Sequence, residues 1–335
     1  MFMLAAEGFG FGRLLGHPTY GRVASWFEHV DWEGGVFWDM IQPAFMFMVG
    51  VAMPFAIARR LQLGATRRQI LGHILLRALR LLLLSQFLMI VVQQRIHFQL
   101  INVLSQIAFA YVLTYLILQL RVRWQVVSAV LILGAHWLLF VLFPGPEGPF
   151  AKTGNIGQVI DMALLGYNYP GYYVAINFVS STATTLFGAW AGMLLMSARP
   201  QMEKLRMIAL ASLVAFVAGL GLGYVNPIVK RIWTASFTLY SAGWVLLMLL
   251  AFVLVIDVWG QRKVAFPLTV AGMNSIFVYS AGFLIKGCVL RWIEPFTGGS
   301  KFAGDLAPVV QACAVMVVLW YFCYWLYRRK IFFKV

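Results

Sequence analysis

The stretch HVDWEGGVFWDMIQPAFMFMVGVAMPFAIARR, residues 29–60, decides the fold. From Val36 to Ala58 it holds one charged residue, Asp39, and it then meets Arg59 and Arg60. About 20 apolar residues, at about 1.5 Å rise each, cross the ~30 Å hydrocarbon core of a bilayer. The stretch therefore reads as a membrane helix. His29 lies just before it and Asp39 at its mouth, and crossing requires neither. Ionisable groups beside lipid are costly unless they are used.

Working outward, similar apolar runs recur along the chain. Of its 335 residues, 62% are hydrophobic and only 11% charged, against about 25% charged in soluble domains. This predicts an all-α, polytopic transmembrane helical bundle, forming one domain over residues 1–335. About ten spans are expected: 1–16, 36–58, 70–93, 100–120, 125–143, 172–196, 206–224, 233–256, 264–287 and 306–327. The first is short: Met1–Gly12 covers about 18 Å as a helix. No basic n-region precedes it and no small-residue cleavage site follows, so it reads as a truncated first helix. The Gly8-Phe-Gly-Phe-Gly12 run has no preceding strand, which excludes a dinucleotide fingerprint.

The net charge of +15 is mostly a topology signal. Arg59, Arg60, Arg67, Arg68, Arg77, Arg80, Arg121, Arg123, Arg199, Lys204, Arg206, Arg262, Lys263, Arg328, Arg329, Lys330 and Lys334 fall on one side of the predicted map, a clear majority of the 26 Lys and Arg. The positive-inside rule makes that side cytoplasmic, with both termini inside and His29 outside. No nucleic-acid partner is implied; the bilayer is the partner. Asn-x-Ser/Thr is absent, which favours a bacterial inner membrane. Cys288, Cys313 and Cys323 have neither metal nor disulfide spacing, and no metal is expected. Whether two copies pair as a homodimer is left open.

Several residues could carry chemistry. His29 reads either as a solvated loop histidine or as a general base or transient nucleophile. Asp39 reads either as a first-turn acid favoured by the helix dipole or as the group that orients His29. Glu7 is the one acid in the first predicted span, either interfacial or part of a site. His73, Arg77 and Arg80 share one helix face. With Arg67 and Arg68 they form a basic stripe, either a membrane anchor or a phosphate grip. Asn274, Ser275 and Tyr279 could line a polar cavity. Asn102, Gln106, Asn177, Ser180, Ser181, Thr184 and Thr185 read mostly as helix-packing polar residues. Gly188-Ala-Trp-Ala-Gly192 reads as a close helix contact.

Four separated blocks carry a resemblance. They are His29-x-x-Trp32-x-Gly34 followed by Asp39, Pro43 and Gly50; Leu71-Gly72…Arg77; Pro227-Ile-x-Lys230-x-x-Trp233-Thr-x-Ser236; and Gly272-Met-Asn274-Ser275-Ile276-x-Val278-Tyr279. Together with the ending Tyr327–Lys334, the chain resembles the heparan-α-glucosaminide N-acetyltransferase family of membrane acyltransferases. It departs from the family by lacking a Ser-Leu-Asp-x-x-Arg-Gly start, by Glu7 where Asn is common, and by Leu104-Ser105-Gln106 in the fourth span.

The resemblance implies an acyltransferase moving acetyl from cytosolic acetyl-CoA to an amino sugar or other saccharide beyond the membrane. His29 would be the active histidine and Asp39 its aspartate. His73, Arg77, Arg80, Arg67 and Arg68 would hold the acetyl-CoA phosphates. Glu7, Asn274, Ser275, Lys230 and Trp233 would lie toward the acceptor, with Asn274 or Ser275 a candidate for the oxyanion. The alternative reading is a transporter or flippase that moves a sugar or lipid-linked substrate without acyl transfer.

Overall fold

The computed structural model describes residues 7–297 and 303–333. The described residues are helical apart from loops and two isolated bridges, Glu33 with Val229 and Gly145 with Gly148. In chain order the helices are α1 (Gly21–Ala24), α2 (Ile41–Gln62), α3 (Arg67–Gln93), α4 (Val103–Leu118), α5 (Val122–Leu142), α6 (Ile156–Leu165), α7 (Asn177–Met196), α8 (Gln201–Leu222), α9 (Ala235–Val253), α10 (Arg262–Met273), α11 (Ser275–Leu284), α12 (Lys286–Thr297) and α13 (Ala307–Arg328).

Among the described residues, seven helical segments are long and apolar enough to cross a bilayer. They correspond to the predicted second, third, fifth, sixth, seventh, eighth and tenth spans. The other three differ from expectation for local reasons. Residues Glu7–Leu14 form a 3-10 helix rather than an α-helical span, with left-handed backbone at Phe9 and Gly10. Glycine accepts that backbone readily at position 10, whereas Phe9 adopts it against the preference of a bulky side chain. The predicted fourth span shortens to the 16 residues of α4. Asn102 sets its start, its side-chain oxygen accepting Leu104 N at 2.9 Å and Ser105 N at 3.1 Å. The ninth breaks at Asn274 into α10 and α11, bent by 66°.

The most buried of the long helices is the least apolar. α7, with a mean hydropathy of 1.3, is the least apolar of α2, α3, α5, α7, α8, the α9 segment and the α13 segment, and it is the most buried. Its Asn177, Ser180, Ser181, Thr182, Thr184 and Thr185 are all buried. Several of the hydroxyls bond within the helix: Thr182 donates to Phe178 O at 2.9 Å and Ser181 to the same carbonyl at 3.1 Å. A polar helix is tolerated at the centre because small side chains satisfied in this way let neighbouring backbones approach. α5 and α8 are far more exposed, with Val130, Leu131, Leu210 and Leu213 turned outward.

α2 and α7 pack with their backbones in close approach. A Cβ on Gly50 would overlap Thr185 O, one on Gly188 would overlap Phe47 O, and one on Gly192 would overlap Val51 O. The predicted contact through Gly188 and Gly192 is therefore present, and its partner is the helix after His29.

A loop layer covers the end of the bundle that carries His29. Trp32 Nε1 donates to Phe150 O at 2.8 Å and Lys152 pairs with Asp31 at 2.6 Å. Asp161 on α6 is buried, and both carboxylate oxygens accept Ala175 N. Burial pushes this carboxyl up from its ordinary 3.8 to about 6.

Two outcomes are expected. Gly188→Leu should destabilise the protein by about 1–3 kcal/mol or more through overpacking. Gly221→Leu on α8, where a side chain meets open space, should leave detergent thermal melting unchanged. Because the folded Asp161 holds its proton more tightly than an unfolded one, its contribution to stability is full below about pH 4 and is lost as pH rises through 6. The melting temperature of Asp161→Asn relative to wild type should therefore rise between acid and neutral pH.

Candidate active site

The site is assembled from two loops that lie far apart in sequence. Glu33 and Val229 form a bridge, Gly34 N donates to Ile228 O at 2.7 Å, and Tyr240 donates its hydroxyl to Gly35 O at 3.1 Å. Gly34 has φ +107, a backbone that a side chain would oppose. The second loop is a closed turn. Thr234 Oγ1 accepts Val229 N at 3.0 Å and Thr234 N donates to Val229 O at 3.1 Å, while Trp233 adopts φ +55. These contacts set Lys230 against residues 29–39.

His29 Nδ1 lies 2.7 Å from Asp39 Oδ1. Lys230 Nζ donates to the same oxygen at 3.3 Å and stands 3.2 Å from His29 Nδ1. An ionised carboxylate only accepts, so the imidazole donates from Nδ1. The close approach of the two nitrogens then follows from their sharing an acceptor. This tautomer leaves the Nε2 lone pair free. The imidazole is 40% exposed while Asp39 is 1% exposed, so a buried carboxylate holds a ring that solvent reaches.

The two oxygens of Asp39 have different partners. Oδ2 accepts Val36 N at 3.2 Å and Val30 N at 3.4 Å, which caps the Phe37–Met40 turn and fixes the His29 loop. Oδ1 takes the imidazole and the ammonium. Beneath them, Gln42 bonds Gln106, and Gln106 bonds Asn177. Asn177 Nδ2 reaches Arg231 O at 3.4 Å, so a buried amide string ties α2, α4 and α7 to the Lys230 turn.

A cavity of about 530 Å³ runs along one face of α2, lined by Phe37, Met40, Ile41, Phe45, Met48 and Ala52 with Met248, Phe252, Leu268 and Val278. It begins in the turn that holds Asp39, and Arg77 and Ser275 lie on its wall. Both residues also line a second cavity of about 430 Å³, with Ala56, Arg60, His73, Arg80, Tyr111, Ile276 and Phe333. Arg77 donates to the Tyr111 hydroxyl at 3.2 Å and lies over its ring at 4.9 Å. Its buried Nε has no partner among the described residues. The first cavity is mainly apolar and the second basic.

The predicted residues are thus sorted by the fold. His29, Asp39 and Lys230 come together. His73, Arg77 and Arg80 come together at the opposite end of α2, joined by Arg60. Arg67 and Arg68 are exposed and do not line that cavity, because helical spacing turns them away. Asn274 is not placed to meet an acceptor or oxyanion beside His29. Its amide donates to Ile331 O at 3.1 Å and accepts Phe333 N at 2.9 Å, clasping the segment after α13 against the basic cavity. Trp233 is fully buried and donates to Thr184 Oγ1 at 3.2 Å, so it packs the core rather than facing an acceptor. The side chain of Glu7 lies outside the described residues.

Two residues gained roles beyond their sequence signal. Lys230 is one of several cations on the minority side of the predicted map, and only its burial beside Asp39 sets it apart. Arg60 is indistinguishable from an anchor until α3 is folded against it. Among the described residues no group of His, Cys, Asp and Glu is arranged to hold a metal.

No family model matches the chain. It is similar to heparan-alpha-glucosaminide N-acetyltransferase of Mus musculus, 22% identical over 393 residues, and to the Homo sapiens protein of that name, 23% identical. Both alignments cover 96% of this chain and 58% of the relative. The chain therefore spans little more than half the length of these relatives. The similarity supports a distant relationship to that family and, at the general level, to membrane acyltransferases.

The clasp makes a prediction. Asn274→Ala should free residues 331–333, and their backbone amides should exchange with deuterium faster than in wild type while those of α2 and α7 are unchanged.

Proposed function

We propose that the chain is an integral membrane acyltransferase that moves an acetyl group from cytosolic acetyl-CoA to an amino sugar or other saccharide on the non-cytoplasmic side. The observation that carries this reading is an imidazole held by a buried carboxylate at the start of α2 and a basic cavity near the other end of that helix, with an apolar cavity along α2 that begins in the Phe37–Met40 turn and shares Arg77 and Ser275 with the basic one. From Phe37 to Arg60 that segment runs about 35 Å, the scale of a bilayer core. The multi-pass helical architecture and the distant acyltransferase relationship support the same reading.

In this scheme the phosphates of acetyl-CoA meet Arg60, His73, Arg77 and Arg80, where guanidinium groups offer paired donors. The pantetheine arm follows the apolar cavity past Arg77 and Ser275 and brings the thioester to the Phe37–Met40 turn. His29 Nε2 removes a proton from the attacking amine or hydroxyl, or accepts the acetyl group briefly before passing it on. Asp39 holds the ring in the tautomer that keeps Nε2 free. The thiolate of CoA leaves and recovers the proton from His29.

General-base assistance contributes about 10²–10⁴ in rate. His29→Ala should lower protein-dependent release of CoA thiol from acetyl-CoA by that order, with folding and membrane insertion intact. Wild-type activity in this variant would overturn the assignment. Sugar movement by the wild-type protein without thiol release would support the transporter alternative instead.

A further inference from the structure

The ammonium of Lys230 carries more donors than the fold uses. The residue is 5% exposed, and burying a cation is costly unless its hydrogens find partners. Of its three N–H groups, one is taken by Asp39 Oδ1 at 3.3 Å. The Nδ1 of His29 at 3.2 Å is itself a donor to that oxygen and accepts nothing from Lys230. Two N–H groups therefore have no acceptor among the described residues.

The turn separates two adjacent cations. Arg231 points outward, to Asp31 O at 2.5 Å and over the Tyr173 ring at 6.0 Å. Lys230 points inward. The bonds between Thr234 and Val229 and the left-handed backbone at Trp233 hold this division. A counter-ion for Asp39 needs one contact, and that carboxylate already receives His29 Nδ1, Val30 N and Val36 N. The spare donors sit beside the imidazole, and Asp39, which both groups contact, lies in the turn where the apolar cavity begins.

We propose that Lys230 binds the oxyanion of the tetrahedral intermediate, which makes it a catalytic residue; this rests on the acetyl-transfer reading above. As the acceptor nitrogen or oxygen bonds to the thioester carbon, His29 Nε2 takes its proton. The carbonyl π pair moves to oxygen, and the two spare N–H groups of Lys230 receive that charge. On collapse the C=O bond re-forms and the C–S bond breaks. The CoA sulfur leaves with the bonding pair and takes the proton from His29. An ammonium fixed in place before charge develops stabilises the intermediate without reorganising.

The test uses the full-length protein in nanodiscs with acetyl-CoA and glucosamine as the probe acceptor. Lys230→Met should lower kcat about 10²–10³-fold, the scale of removing one oxyanion donor, with KM for acetyl-CoA unchanged. Lys230→Arg keeps the buried charge, protects against loss of folding, and should recover part of kcat. A second readout needs no turnover. A ¹³C-labelled ketone analogue of acetyl-CoA, with methylene in place of sulfur, should show a lower carbonyl stretching frequency bound to wild type than to either variant.

A variant that melts like wild type and keeps kcat within twofold overturns the proposal and leaves the acyl-transfer reading standing. So does a carbonyl band unmoved by Lys230→Met. A wild-type protein that neither releases CoA thiol nor binds the ketone analogue overturns the acyl-transfer reading and this inference with it.

Discussion

Asp39 is a carboxylate at the mouth of a membrane helix, and its two oxygens answer to different parts of the fold. One caps the turn that starts α2 and gathers the backbone of the His29 loop. The other receives an imidazole from that loop and an ammonium from the turn before α9. A buried ion with this many partners is costly to disturb, since removing one partner strands the others. The entry angle of α2, the orientation of His29 and the docking of the Lys230 turn are thus set together. The amide string Gln42, Gln106 and Asn177 continues that polar core into α4 and α7.

Near lipid, polar groups must find partners within the protein, and this arranges the helices. α7 is the helix least suited to face hydrocarbon and it sits at the centre, its hydroxyls bonded along its own backbone. Gly50, Gly188 and Gly192 remove the side chains that would hold α2 and α7 apart. The rigid pair so formed is the platform against which α9 and α4 pack. The catalytic candidates sit at one end of that platform and the basic cavity at the other.

Much of this was legible in the sequence because membrane helices announce themselves by length and apolarity. His29 and Asp39 stood out as groups that a span does not need. The Gly188–Gly192 contact was readable from spacing, although its partner helix was not. What spacing could not give was distance across the chain. Lys230 lies on a turn just over two hundred positions from His29, and the contacts that join the two loops, such as the bridge between Glu33 and Val229, form only in the folded chain. Arg67 and Arg68 looked like part of the same stripe as Arg77 because composition does not record which way the first turn of a helix faces. Asn274 looked like a ligand for a substrate because a polar residue in an apolar run is ambiguous. Its two hydrogen bonds go instead to backbone that follows α13. The 3-10 geometry of Glu7–Leu14 and the break at Asn274 were missed because hydropathy averages over the local turns where both occur.

That clasp carries a consequence for biogenesis. The basic cavity has walls from α2, α3 and α4, which enter the membrane early, and a wall from Phe333, which leaves the ribosome only after α13. Until α13 has inserted and Asn274 has captured the backbone beyond it, the cavity stands open on one side with Arg60 and Arg80 unscreened. The order of synthesis thus separates the insertion of the early helices from the closing of the basic cavity. A chain stalled before its last segment would hold the His29 cluster and still lack one wall of that cavity.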